Sequence, residues 1–362
     1  MKRKWIVIPS VLVTLACALY TIDVWVPFLM DLKPKPEIVI DKPTRKEAIT
    51  TLVAKLNEHY VFPDKAKQME TVMLAHLKNG RYDAMTDGEQ FARQLSLDLH
   101  AVARDLHMSV WASAKPVPYD REMGPPPATK AQWEQRTRTA RRLLLQLGLM
   151  MGKVGNVKVD HLEDNIGYLK LDEFPPSFIM AERYGAAMDE LADTDSLIID
   201  LRDNGGGSPD TVAMLVSYFV DGRTRLNDIW DRSSGVSMQQ WTLDKLDGKP
   251  YGGNKPVVIL VGPETMSAGE HFAYTMQALK RATVVGKPTW GGAHPTRLYR
   301  LGEHFAASIP SRRTISPITG SNWEGVGVIP DIPAGSKSAM EVARDVLQRR
   351  LLVPVRQVAA VD

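Results

Sequence analysis

The chain has 362 residues, 44% hydrophobic and 24% charged, with 26 Gly, 24 Pro and a single Cys. That balance excludes collagen-like, disordered and disulfide-scaffold classes, and the length predicts about two domains able to bury a core without disulfide or metal staples. The formal net charge of +3 is local: without Lys2, Arg3 and Lys4, the basic residues equal the 42 acidic ones, so a neutral body offers no general surface for nucleic acid.

Those three basic residues precede an uncharged apolar run, Trp5 to Ile22, which contains Cys17 and the small-x-small triplet Ala16-Cys17-Ala18. Residues 1–30 therefore read as a signal peptide cleaved after Ala18 or as a retained membrane anchor. A third reading, lipidation at Cys17, has Thr14-Leu15-Ala16 before it in place of a Leu-led lipobox. All three export the body of the protein. An exported chain with no pair of cysteines suits a bacterial periplasm or cell envelope.

Pro34, Pro36 and Pro43 mark residues 31–43 as a linker. A helical bundle is expected over 44–115. Its first helix is capped by Thr44 with Glu47 three residues on, and Leu52, Val53 and Leu56 form its apolar face. The second spans Asp64 to Leu77 and stops at Asn79-Gly80; the third begins near Thr86-Asp87 and runs through Phe91, Leu95, Leu99 and Val102. Residues 116–155 form a proline break, Met123 to Ala128, and a long basic helix from about Lys130 to Met151. In a neutral exported protein, Arg136, Arg138, Arg141 and Arg142 make a solvated helix face rather than a nucleic-acid contact.

After Val154 short strands alternate with helices, the pattern of an α/β layer core over 156–345, followed by a tail over 346–362. Strands are expected at Asn165–Leu171, Ser196–Leu201, Pro256–Gly262, Thr283–Gly286 and Phe305–Ile309, with helices at about Pro209–Val220 and Ala268–Leu279.

Two segments point to chemistry. In PVVILVGPETMSAGEH a buried strand turns sharply into Ser267, and Ala268 and Gly269 open a helix. A hydroxyl at such a corner lies beside helix N-terminal amides that can stabilise an oxyanion, although Ser267 could equally serve as a plain N-cap. In LIIDLRDNGGG three glycines follow a buried strand, so the backbone can approach another group closely. A phosphate loop is excluded there, because Ser208-Pro209-Asp210 stands where Gly-Lys-Ser/Thr would have to follow.

Four motifs in this order, Asp200 to Gly207, Thr265 to Glu270, Val285 to Pro295 and Glu324 to Ile332, resemble those of the S41 serine peptidases. That family includes C-terminal processing peptidases, the tricorn core and the interphotoreceptor retinoid-binding repeats. The resemblance covers roughly residues 160–335, and the helical module also resembles the one preceding the core in the retinoid-binding-like branch. It implies an α/β (α+β) fold with a ClpP/crotonase-like core, and a serine endopeptidase acting through an acyl-enzyme with no cofactor and no metal. Ser267 matches the nucleophile.

The processing peptidases place a lysine base about 25 residues after the serine; here Trp290-Gly291-Gly292-Ala293 contains none. The tricorn-like arrangement matches instead, with His107 as base and Glu324 as its acidic partner. His271, four residues after Ser267, and His294, in Gly-Gly-Ala-His-Pro, are the competing bases; His59, His76 and His100 read as packing or surface residues. The resemblance points to an oxyanion hole of Gly206 and Ala268, with Gly205, Gly207, His294 and Trp290 binding substrate. Glu270 reads as favouring the helix dipole, Arg202 and Asp203 as bracing the loop, and Trp323, like Trp290, as subsite or core. The roughly 57 residues between His107 and Asn165 leave no room for a PDZ domain, so C-terminal tail recognition is not implied. Protein or peptide substrates are the expected partners. The alternative function is non-catalytic binding of apolar ligands on the same scaffold.

Overall fold

A computed structural model describes residues 38–117 and 155–352. The expected leader, most of the linker, the proline break, the long basic helix and the end of the tail lie outside the described residues. Among the described residues no helix is long and apolar enough to cross a membrane.

Three helices come first among the described residues: α1 (Lys42–His59), α2 (Pro63–Lys78) and α3 (Gly88–Val102). The cap of α1 is Asp41 rather than Thr44. Its carboxylate accepts from the Thr44 N–H at 2.9 Å and the Thr44 hydroxyl at 2.6 Å, and Pro43 sits in the first turn, where its missing N–H costs nothing. Helices α2 and α3 end and begin as their sequences predict, with Gly80 at φ 72° after α2 and Asp87 capping the Gln90 N–H at 2.6 Å.

The central sheet has six strands in the order β12-β8-β7-β4-β3-β2, made of β2 (Val157–Leu162), β3 (Ile166–Leu171), β4 (Ser196–Asp200), β7 (Val257–Val261), β8 (Thr283–Gly286) and β12 (Ile332–Pro333). All pairings are parallel except β2 with β3. Strands β4 and β7 are buried along their whole length, as their unbroken apolar runs require of parallel strands covered on both faces. One face packs against α4 (Ser177–Leu191), α5 (Pro209–Ser217) and α6 (Ala268–Ala278). The other is closed by α7 (Ala339–Leu352), through Ala339, Ala343 and Leu347.

Two three-stranded antiparallel sheets complete the fold of the described residues: β1 (Ser109–Ala112) with β10 (Phe305–Pro310) and β9 (Thr296–Arg300), and β11 (Arg312–Ile315) with β5 (Arg225–Asp231) and β6 (Ser237–Trp241). The first joins the two expected domains. Tyr299, Leu301, Phe305, Ala307 and Ile309 share one buried core with α1, α2 and α3, so this stretch of 156–345 packs with the N-terminal module. The seam places the turn after α3, which carries Asp105 and His107, against the loop carrying His294.

Candidate active site

Ser267 lies between β7 and α6 at φ 51°, ψ −110°, a backbone conformation that L-residues with side chains rarely adopt. Several contacts hold it there. Thr265 donates its hydroxyl to the Leu201 carbonyl at 2.7 Å, and Met266 N–H donates to the Asn204 carbonyl at 2.8 Å, fastening the corner to the glycine-rich loop. Asn204 ties that loop together, its amide donating to the Leu171 carbonyl at 2.8 Å and its Oδ1 accepting the Gly206 N–H at 2.9 Å.

Gly206, at φ 94°, lies directly against the nucleophile corner: a Cβ there would stand 2.8 Å from Ser267 Cβ and 3.2 Å from the Ala268 nitrogen. A side chain at Gly207, φ 140°, would collide with the Phe174 carbonyl, so this position too demands glycine. Gly205 donates its N–H to the Asp172 carbonyl at 3.0 Å. The Gly206 amide is thus engaged by Asn204 in this structure. Ala268 N–H, at the first position of α6, has no intrahelical acceptor. A cleft of about 480 Å³ borders the turn, lined by Asn156, Asp172, Glu173, Asp203 and the three glycines.

Glu270 does more than favour the helix dipole. Fully buried, its Oε2 accepts from the Ser267 N–H at 2.8 Å and the Gly292 N–H at 3.0 Å, and its Oε1 accepts from the Thr289 hydroxyl at 2.6 Å and the Gly291 N–H at 2.5 Å. One carboxylate therefore fixes both the nucleophile's backbone and the 289–292 loop. Burial pushes its carboxyl above the ordinary range, and the four donors oppose that push. The S-x-x-E spacing of a capping box was the sequence signal for this contact.

His107 follows α3 by a short turn. His100 anchors that turn through a 2.6 Å contact of Nε2 with the Met108 carbonyl. The His107 ring meets Trp290 edge-on at 5.0 Å, and its Cε1 would lie 2.7 Å from a Cβ at Gly292, so only glycine lets the loop pass this close. Burial lowers the imidazole below its ordinary value; Asp105 opposes the shift and His294 adds to it.

The sequence reading did not anticipate a buried cluster beside it. His294 Nδ1 lies 2.8 Å from Asp105 Oδ2 and 3.3 Å from Glu324 Oε2. Glu324 Oε2 also accepts the Ala293 N–H at 2.6 Å, and the Tyr60 hydroxyl stands 3.4 Å from Asp105 Oδ2. Burial, and next the charge of Asp105, push the Glu324 carboxyl up to about 7, with His294 opposing. Three buried atoms here, Asp105 Oδ1, His107 Nδ1 and Glu324 Oε1, have no hydrogen-bond partner among the described residues. The donor atoms of Asp105, His294 and Glu324 converge within 4.8 Å, a convergence that hydrogen-bond contacts explain without an ion. The Asp105-x-His107 spacing was the one legible hint of this cluster.

The remaining candidates separate cleanly. His271 is buried, stacked on Trp323 at 5.5 Å between ring centroids, and burial in that apolar contact lowers its pKa to about 4. Trp323 is itself core, donating its indole N–H to the Gly292 carbonyl at 2.7 Å. Arg202 braces its loop through paired contacts to Asp200 and one to the Ser336 carbonyl at 2.9 Å, while Asp203 meets Lys170 at 2.5 Å. His59 stacks on Tyr299, and His76 contacts Asp98 and Tyr82, so both serve packing.

Comparison with known proteins agrees with this layout. The model of peptidase family S41 matches residues 165–334, and that of the N-terminal domain of peptidase S41 in eukaryotic IRBP matches residues 36–143. Carboxyl-terminal-processing peptidase 2, chloroplastic, of Arabidopsis thaliana is 27% identical over 177 residues, 46% of this chain and 32% of that protein. The carboxy-terminal-processing protease of Bartonella bacilliformis is 28% identical over 185 residues, 50% of this chain and 41% of that one. The chain thus spans well under half the length of either relative. Among solved structures, the photosystem II D1 C-terminal processing protease superimposes with a TM-score of 0.50 at 17% identity, covering 84% of this chain and 97% of that one, a likeness of fold. With both family models matched in order along one fold, the chain belongs to peptidase family S41.

Proposed function

We propose that this protein is an exported serine endopeptidase that cleaves peptide bonds through an acyl-enzyme on Ser267. The observation that carries the reading is the strained Ser267 corner, pinned by Glu270 from one side and by the Asn204–Gly206 loop from the other. Such pinning holds a hydroxyl at the start of a helix, beside an amide with no intrahelical acceptor, where negative charge is stabilised.

In this mechanism Ser267 Oγ attacks the scissile carbonyl carbon while His107 takes the hydroxyl proton. Its depressed basicity keeps the imidazole neutral and ready to accept. The carbonyl oxygen becomes the oxyanion, facing the Ala268 N–H and the glycine turn. Because the Gly206 N–H donates to Asn204 in the free protein, its share in the oxyanion hole requires that bond to loosen when substrate arrives. His107 then returns the proton to the leaving amine, and water resolves the ester by the same path in reverse. Glu324 is the acid that supports the His107 imidazolium. Its unpartnered Oε1 and the unpartnered His107 Nδ1 are the atoms to be joined in the substrate complex, where loose catalytic hydrogen bonds tighten. Gly205, Gly207 and Trp290 border the substrate path. Export, with a cleaved leader or a retained anchor, rests on the basic and apolar run of residues 1–30.

The test is hydrolysis of unfolded casein. Wild type is expected to cleave it, and Ser267→Ala and His107→Ala are expected to lose about a thousandfold or more, whereas His271→Ala keeps turnover. A wild type with no turnover that instead retains an apolar fluorophore would favour the binding function over the peptidase.

A further inference from the structure

We infer that His294 is a positioning residue, the clamp that joins the two halves of the catalytic set across the seam between the N-terminal module and the α/β core. The inference rests on the peptidase reading above and assigns His294 a role other than substrate binding or proton abstraction.

The two acids that His294 touches come from opposite sides of that seam. Asp105 lies two residues before His107 in the turn after α3, and Glu324 lies in the segment between β11 and β12. A single ring nitrogen, His294 Nδ1, stands within 2.8 Å of one carboxylate and 3.3 Å of the other. His294 is 2% exposed and Asp105 3%, so water cannot replace this contact for either of them. Two carboxylates this close in a buried place repel, and a donor between them removes the repulsion while fixing their separation. The ring is held in turn by Phe62, edge-on at 5.4 Å, and by the loop that Glu270 secures through Gly291 and Gly292. One network therefore sets the position of Ser267 through Glu270, and of His107 and Glu324 through His294. The clamp thereby ties the turn that carries His107 to the segment that carries Glu324.

The ionisable groups facing the cluster are Tyr60 from the end of α1, Asp105 and His107 from the turn after α3, Glu324 from the C-terminal segment and Glu270 from α6. Removing the His294 donor takes away the interaction that opposes protonation of Glu324, so the pH below which Glu324 is protonated moves up.

The experiment is the second-order rate of labelling by a fluorophosphonate as a function of pH, on the full chain. Wild type defines the plateau and the acid limb. His294→Ala is expected to lose roughly tenfold or more at the plateau and to move the acid midpoint to higher pH. His294→Asn, whose amide can donate from nearly the place of Nδ1, is expected to recover most of the rate, and His294→Gln, which donates from the place of Nε2, is not. Equal rates and midpoints for wild type and His294→Ala, or Gln rescuing as well as Asn, overturn the clamp. Where His294→Ala fails to fold, the Asn and Gln variants alone decide. Wild type that is never labelled sinks the peptidase reading instead, so the two failures are distinguishable.

Discussion

At the residue scale, the site depends on groups whose ordinary behaviour is altered by burial. Burial and the neighbouring Asp105 push the Glu324 carboxyl up to about 7, and burial lowers His107 below its ordinary value, so on acidification the carboxylate is expected to be neutralised before the imidazole gains its proton. The acid limb of labelling or turnover is therefore expected near pH 7 and belongs to Glu324; in Glu324→Gln the plateau falls and the remaining limb, now from His107, moves to lower pH. An unmoved limb in that variant would assign it elsewhere. Because the folded protein raises this carboxyl above its free value, Glu324 favours the fold while protonated, and that contribution is lost as pH rises from about 4.5 to about 7. Gly206→Ala should be as harmful as losing a catalytic group without removing one. Its φ of 94° disfavours a side chain, and the added methyl would sit 2.8 Å from Ser267 Cβ. A labelling rate reduced about a hundredfold, with a melting temperature only a few degrees lower, is the expected outcome. Ser267 and the glycine turn were legible in the sequence because backbone-limited positions leave their mark in residue type. The pairing of His294 with Asp105 and Glu324 was not, because nothing in a linear spacing shows which of several histidines meets two acids brought in from distant segments.

At the element scale, the strands that carry unbroken apolar runs and the helices with clear caps stand where the sequence put them, since burial on both faces and capping are local requirements. Strands β1, β2, β5, β6, β9, β11 and β12 lie outside the strands that the sequence predicts. Residues such as Arg225, Asn227 and Asp228 in β5 or Thr296, Arg297 and Arg300 in β9 are polar, and they become strands through their pairing, β5 with the distant β11 and β9 with the adjacent β10. The cap of α1 lies three residues before the expected one, at Asp41 rather than Thr44, because Pro43, a linker residue by composition, suits a first turn. The β1-β10-β9 sheet has a functional consequence that can be measured. Phe305 is fully buried and meets Phe91 edge-on at 5.5 Å, joining β10 to α3 and hence to the turn bearing Asp105 and His107. Phe305→Ala is expected to lower stability by about 3–5 kcal/mol in denaturant titration. Labelling should weaken at denaturant concentrations where the far-UV signal is still native, since loosening this sheet displaces His107 first. Coincident loss of both signals would deny that link.

At the scale of the whole molecule, the division into a helical module and an α/β core describes the sequence better than the structure. The N-terminal helices share a core with residues 296–310, and the candidate site takes His107 from one side of that seam and Ser267 and Glu324 from the other. A catalytic set split in this way couples activity to docking of the two parts. In the proposed function this shared architecture makes Ser267 a nucleophile. That role is tested most directly by exposing the full chain to a fluorophosphonate and mapping the adduct by peptide mass spectrometry. One adduct is expected, on Ser267, absent in Ser267→Ala and formed at least a hundredfold more slowly in His107→Ala. An unlabelled wild type, or an adduct on another residue that persists in Ser267→Ala, would contradict it.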